Sequence, residues 1–135
     1  MRHKLLIAGA LWFVGACAPK LGDGCETATE CSANLDRFCD LAQPGGYCTI
    51  ANCEPGSCGD EGLCVRFKPD EPRLSQNWCM AKCGDNGDCD RDKYVCRSAD
   101  QLNTADGGVA AGGGVRRKAE VLDNKKNGKF CVYRE

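Results

Sequence analysis

Gly45-Gly46-Tyr47-Cys48-Thr49-Ile50-Ala51-Asn52-Cys53 is the stretch that decides how this chain is built. An aromatic residue precedes a cysteine, and after four intervening residues another cysteine opens a new series. Working outward, the same punctuation recurs at Trp78-Cys79-Met80-Ala81-Lys82-Cys83, and a third aromatic-cysteine pair closes the chain at Phe130-Cys131. Cut at these joins, the cysteines fall into three sets of four: C-x5-C-x7-C-x8-C over 25–48, C-x4-C-x5-C-x14-C over 53–79, and C-x5-C-x6-C-x34-C over 83–131. A repeat of this kind marks a tandem array of small structural units.

Composition says what must hold such units together. The chain has 135 residues and 13 cysteines. Leu, Ile, Val and Phe make up only about a seventh of residues 17–135, too few for an apolar core to offset chain entropy. The fold class expected is therefore small and disulfide-rich: three tandem four-cysteine units (25–48, 49–79 and 80–135), with short β-hairpins and little helix. Strands are expected near Phe38–Asp40, Tyr47–Ile50, Leu63–Phe67, Trp78–Ala81, Tyr94–Arg97 and Phe130–Tyr133. Confining bonds within units leaves three pairings for each. Crossed pairing, first to third and second to fourth, is preferred because the aromatic before the fourth cysteine can close a hairpin over the first loop. That gives Cys25–Cys39, Cys31–Cys48, Cys53–Cys64, Cys58–Cys79, Cys83–Cys96 and Cys89–Cys131. Tyr47, Trp78 and Phe130 would then plug their own units.

The first residues carry an address. Met1-Arg2-His3-Lys4 is positive, an apolar run extends from Leu5 to Ala16, and Cys17 follows. Twelve apolar residues make about 18 Å of helix, short of a hydrocarbon core of about 30 Å. Val14-Gly15-Ala16-Cys17 resembles the lipobox of bacterial lipoproteins. That resemblance implies a leader over 1–16, cleavage after Ala16, acylation of Cys17 and a tether over 17–24. Ala18 after the acylated cysteine resembles an outer-membrane sorting context. Ordinary secretion after an Ala-x-Ala site is the lesser alternative. With Cys17 acylated, twelve cysteines remain, an even number for six disulfides in an exported chain.

The spacing from Gly24-Cys25 to Glu30-Cys31, together with Gly45-Gly46-Tyr47-Cys48-Thr49 and Gly87-Asp88-Cys89 to Tyr94-Val95-Cys96, is similar to cysteine-rich modules of exported myxobacterial lipoproteins. It is loosely similar to Dickkopf N-terminal and colipase-like segments. The resemblance spans about residues 22–134 and implies a disulfide scaffold, not an activity.

Several chemistries are excluded or left as candidates. The only histidine, His3, lies in the expected leader, so a processed chain has no Ser-His-Asp, Cys-His or Cys2His2 constellation. No C-x-C or C-x-x-C occurs, which argues against zinc and thioredoxin-like redox roles, and no cofactor is expected. Net charge is −1, giving no basic field for nucleic acid. The acidic run Asp85-Asn86-Gly87-Asp88-Cys89-Asp90-Arg91-Asp92 reads as a turn, with calcium as the alternative. Asp85, Asp88 and Glu61 are the carboxylates an enzyme would use, but the sequence carries no signal that they assemble into a pocket, and no catalysis is expected.

Two loops remain. Residues 98–129 insert a Gly107–Gly114 linker, a weak helix expected over 115–122, and the cations Arg116, Arg117, Lys118, Lys125, Lys126 and Lys129. These are candidate contacts for an acidic protein or an anionic envelope surface. Residues 65–77 form a loop tethered by Cys64 and Cys79, suited to partner recognition. The expected function is a membrane-anchored, extracytoplasmic binding or surface-structural module. The alternative is an inhibitor of an extracellular hydrolase that uses the 65–77 loop.

Overall fold

A computed structural model describes residues 18–105 and 116–134. Cys17, the leader expected before it and the Gly107–Gly114 stretch lie outside the described residues. The chain forms a small disulfide-rich fold made mostly of short strands. In order these are helix α1 (Ala28–Cys31), strands β1 (Phe38–Cys39), β2 (Cys48–Thr49), β3 (Gly62–Phe67) and β4 (Gln76–Cys83), a 3-10 turn at Asn86–Asp88, β5 (Tyr94–Ser98), helix α2 (Ala99–Ala105), β6 (Ala119–Val121) and β7 (Lys129–Tyr133). β1 and β2 pair alone, and the others form one antiparallel sheet in the order β5-β7-β4-β3-β6. Among the described residues no helix is long and apolar enough to cross a membrane.

Six cystines lace this frame: Cys25–Cys39, Cys31–Cys48, Cys53–Cys64, Cys58–Cys79, Cys83–Cys96 and Cys89–Cys131. Each set of four is joined first to third and second to fourth, and its two bridges lie side by side. Three sulfurs of each set fall within 4.8 Å of one another. So many cystines belong to an oxidising, extracytoplasmic environment.

The units do not fold as separate beads. β4 runs from Gln76 through Cys79 to Cys83, so one strand carries the close of the second unit and the start of the third. Gln76 to Ala81 pair with β3, Cys64 opposite Cys79, and the last two residues pair with β7, Lys82 opposite Phe130. The insertion returns as edge strand β6 against β3, with Val65 opposite Val121. This is where a helix over 115–122 was expected. A helix of two turns does not hold itself in water, whereas a strand beside β3 buries Ala119 and Val121. The helix that does form, α2, lies before the linker and packs on β5 and β6.

The aromatic residues also cross unit borders. Tyr47, 1% exposed, leaves its own unit and enters the junction of the other two. Its hydroxyl donates to the Cys131 carbonyl (3.1 Å) and accepts from the Ala81 N–H (2.9 Å), and its ring stacks on Tyr94 at 5.8 Å. Burial holds the phenol well above its usual pKa, so it stays a neutral donor. Phe130 is fully buried edge-on to Phe67. Trp78 is only half-buried, tilted against Phe38 of the first unit. Gly46, at φ +69, precedes Tyr47 where a Cβ would collide with the Cys25 carbonyl and crowd both sulfurs of the Cys25–Cys39 bridge. Only glycine lets the chain deliver Tyr47 past that bridge.

Candidate binding surface

The two segments singled out as loops meet each other. Strands β3 and β4 absorb Val65–Phe67 and Gln76–Asn77, so the loop expected over 65–77 shrinks to a hairpin tip at 68–75. Cross-strand pairing on β4 and burial of Val65 outweigh the freedom of a tethered loop. Lys68 enters the tip at φ +50, and the turn closes through Glu71 N–H to Lys68 O (3.0 Å) and Leu74 N–H to Glu71 O (2.8 Å). The returning insertion lies across it. Arg117 donates three ways to Asp70: its N–H to Oδ2 at 2.9 Å, Nε to Oδ1 at 3.1 Å and Nη2 to Oδ1 at 2.6 Å. Lys68 N–H donates to the Lys118 carbonyl (2.8 Å), while Arg116 pairs with Glu71 and Arg117 with Glu120, each at 3.8 Å. The Arg117 fork holds the Asp70 carboxyl below its usual pKa and raises that of the guanidinium.

The six expected cations therefore do not form one basic patch. Arg116 and Arg117 face carboxylates of the hairpin tip. Lys118 contributes its main chain, its carbonyl to Lys68 and its N–H to Asn103 Oδ1 (2.7 Å). Lys126 Nζ donates to the Val121 and Leu122 carbonyls (2.9 and 3.4 Å), and Lys129 Nζ to the Gly84 carbonyl (3.3 Å). Lys125 is exposed in the turn before β7.

Four polar residues that spacing does not reveal tie the segments of the fold together, Asn103 and Asp123 at the insertion and Arg91 and Arg37 at the N-terminal segment. Asn103 of α2 accepts from Lys118 and Ala119 N–H and donates to the Ala119 carbonyl, standing in for a neighbouring strand. Asp123 accepts from Gly56 N–H (2.5 Å) and Cys64 N–H (2.7 Å), tying the insertion to the second unit. Arg91, which in sequence merely dilutes an acidic run, donates to the Gly22, Gly46 and Pro44 carbonyls and lies 4.1 Å over the Tyr94 ring. Arg37 reaches the Pro19 carbonyl (2.8 Å) and pairs with Glu61.

The acidic run is a turn. Asp85 Oδ1 accepts from Gly87 N–H (2.7 Å), and Asp88 Oδ2 accepts from Gly84 and Asp85 N–H (2.6 and 3.2 Å), which lowers the Asp88 pKa. Two of the four carboxylates of the run, Asp85 and Asp88, are thus used as caps. Among the described residues, the only clusters of metal-ligating atoms close enough to share an ion are the cystine sulfurs. An open cleft of about 530 Å³, lined by Lys20, Asp23, Glu61, Lys82, Asp88 and Arg91, runs between the N-terminal segment and the second and third units. Comparison of the chain with protein-family models, with curated proteins and with solved structures yields no match.

Proposed function

We propose that this chain is a lipid-anchored extracytoplasmic lipoprotein that acts as a binding or surface-structural module and not as a catalyst. Its presented surface is the clasp formed by tip 68–75 and residues 116–120. The clasp carries this reading: the two longest connections of the cystine frame are locked together into one shaped surface instead of being left as separate loops. Ordering them within the fold lowers the entropy that a partner would otherwise have to remove. Asp85 and Asp88 are committed to capping and Glu61 to Arg37, which supports a non-catalytic role. Pairing of Arg116 and Arg117 with carboxylates, and of Lys126 and Lys129 with carbonyls, favours a protein partner over an anionic headgroup surface. The envelope, with acylation at Cys17 and outer-membrane sorting through Ala18, is the compartment proposed on the lipobox.

The test has two arms. Cys17→Ser should abolish leader removal and detergent-phase partitioning, and unchanged processing and partitioning would overturn the anchor. Capture from envelope fractions should recover a partner with the native chain and lose it with Arg117→Gln, whereas identical recovery would remove the clasp from the interface. The hairpin is pinned at both ends, as an inhibitory loop would be, so titration against extracellular proteases separates the second reading. Absence of inhibition and of a cleavage-resistant complex would end it.

A further inference from the structure

Resting on the proposed acylation of Cys17, the geometry points to a second membrane contact at Leu35, which would stand the module on the bilayer with the clasp facing away. The tether is shorter than its sequence indicates. Leu21 is 5% exposed and packs on the cystines of the second unit, where a Cβ on Gly62 would come within 2.5 Å of its Cδ1. Gly22 N–H donates to the Cys48 carbonyl and Cys48 N–H to the Asp23 carbonyl, both at 2.9 Å, and Arg37 holds the Pro19 carbonyl. Two residue steps separate Pro19 from Cys17, a reach of at most about 7 Å. An acyl group on Cys17 thus draws the Pro19–Arg37 end of the module against the lipid.

Leu35 lies two residues from Arg37 and is 62% exposed in an irregular turn. It sits at φ +58, a conformation that leucine rarely adopts. The turn is held from within: Leu35 N–H donates to the Ser32 carbonyl, Asn34 N–H donates to Ser32 Oγ, and the Ser32 hydroxyl donates to Asp36. An apolar side chain fixed in solvent beside the anchor suits the headgroup–acyl boundary, where apolar groups of interfacial segments settle about 5–10 Å deep. Strand β3 sets the polarity of the molecule. Its Gly62 end meets Leu21, and neighbouring Glu61 meets Arg37, while its Phe67 end leads into tip 68–75. Five residue steps at about 3.4 Å each separate the two ends. Leu74, 53% exposed, is on the far tip, and Leu41, 68% exposed, follows the opposite end of β1 from Arg37.

These three leucines are an internal comparison. Processed protein from the envelope, reconstituted in phosphatidylethanolamine nanodiscs containing lipid spin-labelled near the top of its acyl chain, should lose the Leu35 methyl signals by paramagnetic broadening. The Leu41 and Leu74 signals should persist. Broadening at Leu74 or Leu41 equal to that at Leu35, or no broadening at Leu35, overturns the proposal. Leu35→Asn suits the left-handed backbone, and should leave the cystines and the other methyl shifts unchanged while raising the amide signals of residues 34–37 out of the broadened zone. Intact mass reads the acyl group separately. If Cys17 carries none, the same chain coupled through the Cys17 thiol to a maleimide lipid still reports the orientation, so failure of the anchor and failure of the Leu35 contact remain distinct.

Discussion

Tyr47 shows how much one residue does in a fold with so little apolar mass. Its hydroxyl satisfies an N–H of β4 and a carbonyl of β7, so Tyr47→Phe keeps the stacked ring but removes both hydrogen bonds, the one to Cys131 at a buried site. The expected loss is about 1–3 kcal/mol, read from the guanidinium midpoint with all cystines intact. Arg91→Lys should cost a similar amount, about 1–3 kcal/mol, because a lysine cannot reach three carbonyls and lie over Tyr94 at once. The two residues differ in how visible they are beforehand. An aromatic before a cysteine announces burial, and Tyr47 is buried, but spacing speaks only of local chain closure and cannot name partners in a later unit. Arg91 gives no announcement at all, since its partners are main-chain carbonyls with no side-chain signature.

Among the elements, the clasp carries the clearest pH dependence. Arg117 depresses the folded-state pKa of Asp70, so this interaction stabilises fully above the ordinary carboxylate value of about 4 and is lost as pH falls through the lower folded value. Hydrogen exchange at the Arg117 amide, corrected for intrinsic acid and base rates, should show protection falling on acidification, while Cys64 and Cys79 in the frame stay protected. Protection at Arg117 that is unchanged down to the acid limit would contradict it. Asn103→Ala should fray β6 by removing three hydrogen bonds to Lys118 and Ala119, seen as faster exchange at Ala119 with little change in β5 and β7. Strands next to cysteines were legible because apolar and aromatic residues cluster there. β6 was not: Ala119-Glu120-Val121 is a strand only because β3 offers an edge and Asn103 supplies the missing acceptor.

Across the whole molecule, cross-links replace the core that composition denies, and their worth should scale with the loops they close. Replacing Cys89 and Cys131 together by alanine opens a 42-residue separation and should cost about 4 kcal/mol in the chain-entropy model. Replacing Cys83 and Cys96 opens 13 residues and should cost about 3 kcal/mol. Denaturant titrations of both double variants check the order. The cystine frame and strand-rich class were readable because cysteine spacing survives without tertiary context; the fusion of units through β4 was not, because it depends on which edges remain open once hairpins form. The docked N-terminal segment has a mechanical consequence. If the molecule is pulled by Cys17 against a load on its far end, the first contacts to yield are those of Pro19, Gly22 and Asp23. Only the eight residue steps to Cys25 can then pay out, at most about 28 Å of contour, before the Cys25–Cys39 bridge takes the strain. The attachment would behave as a short leash with a hard stop, giving under brief shear and recoiling when Leu21 returns to its seat.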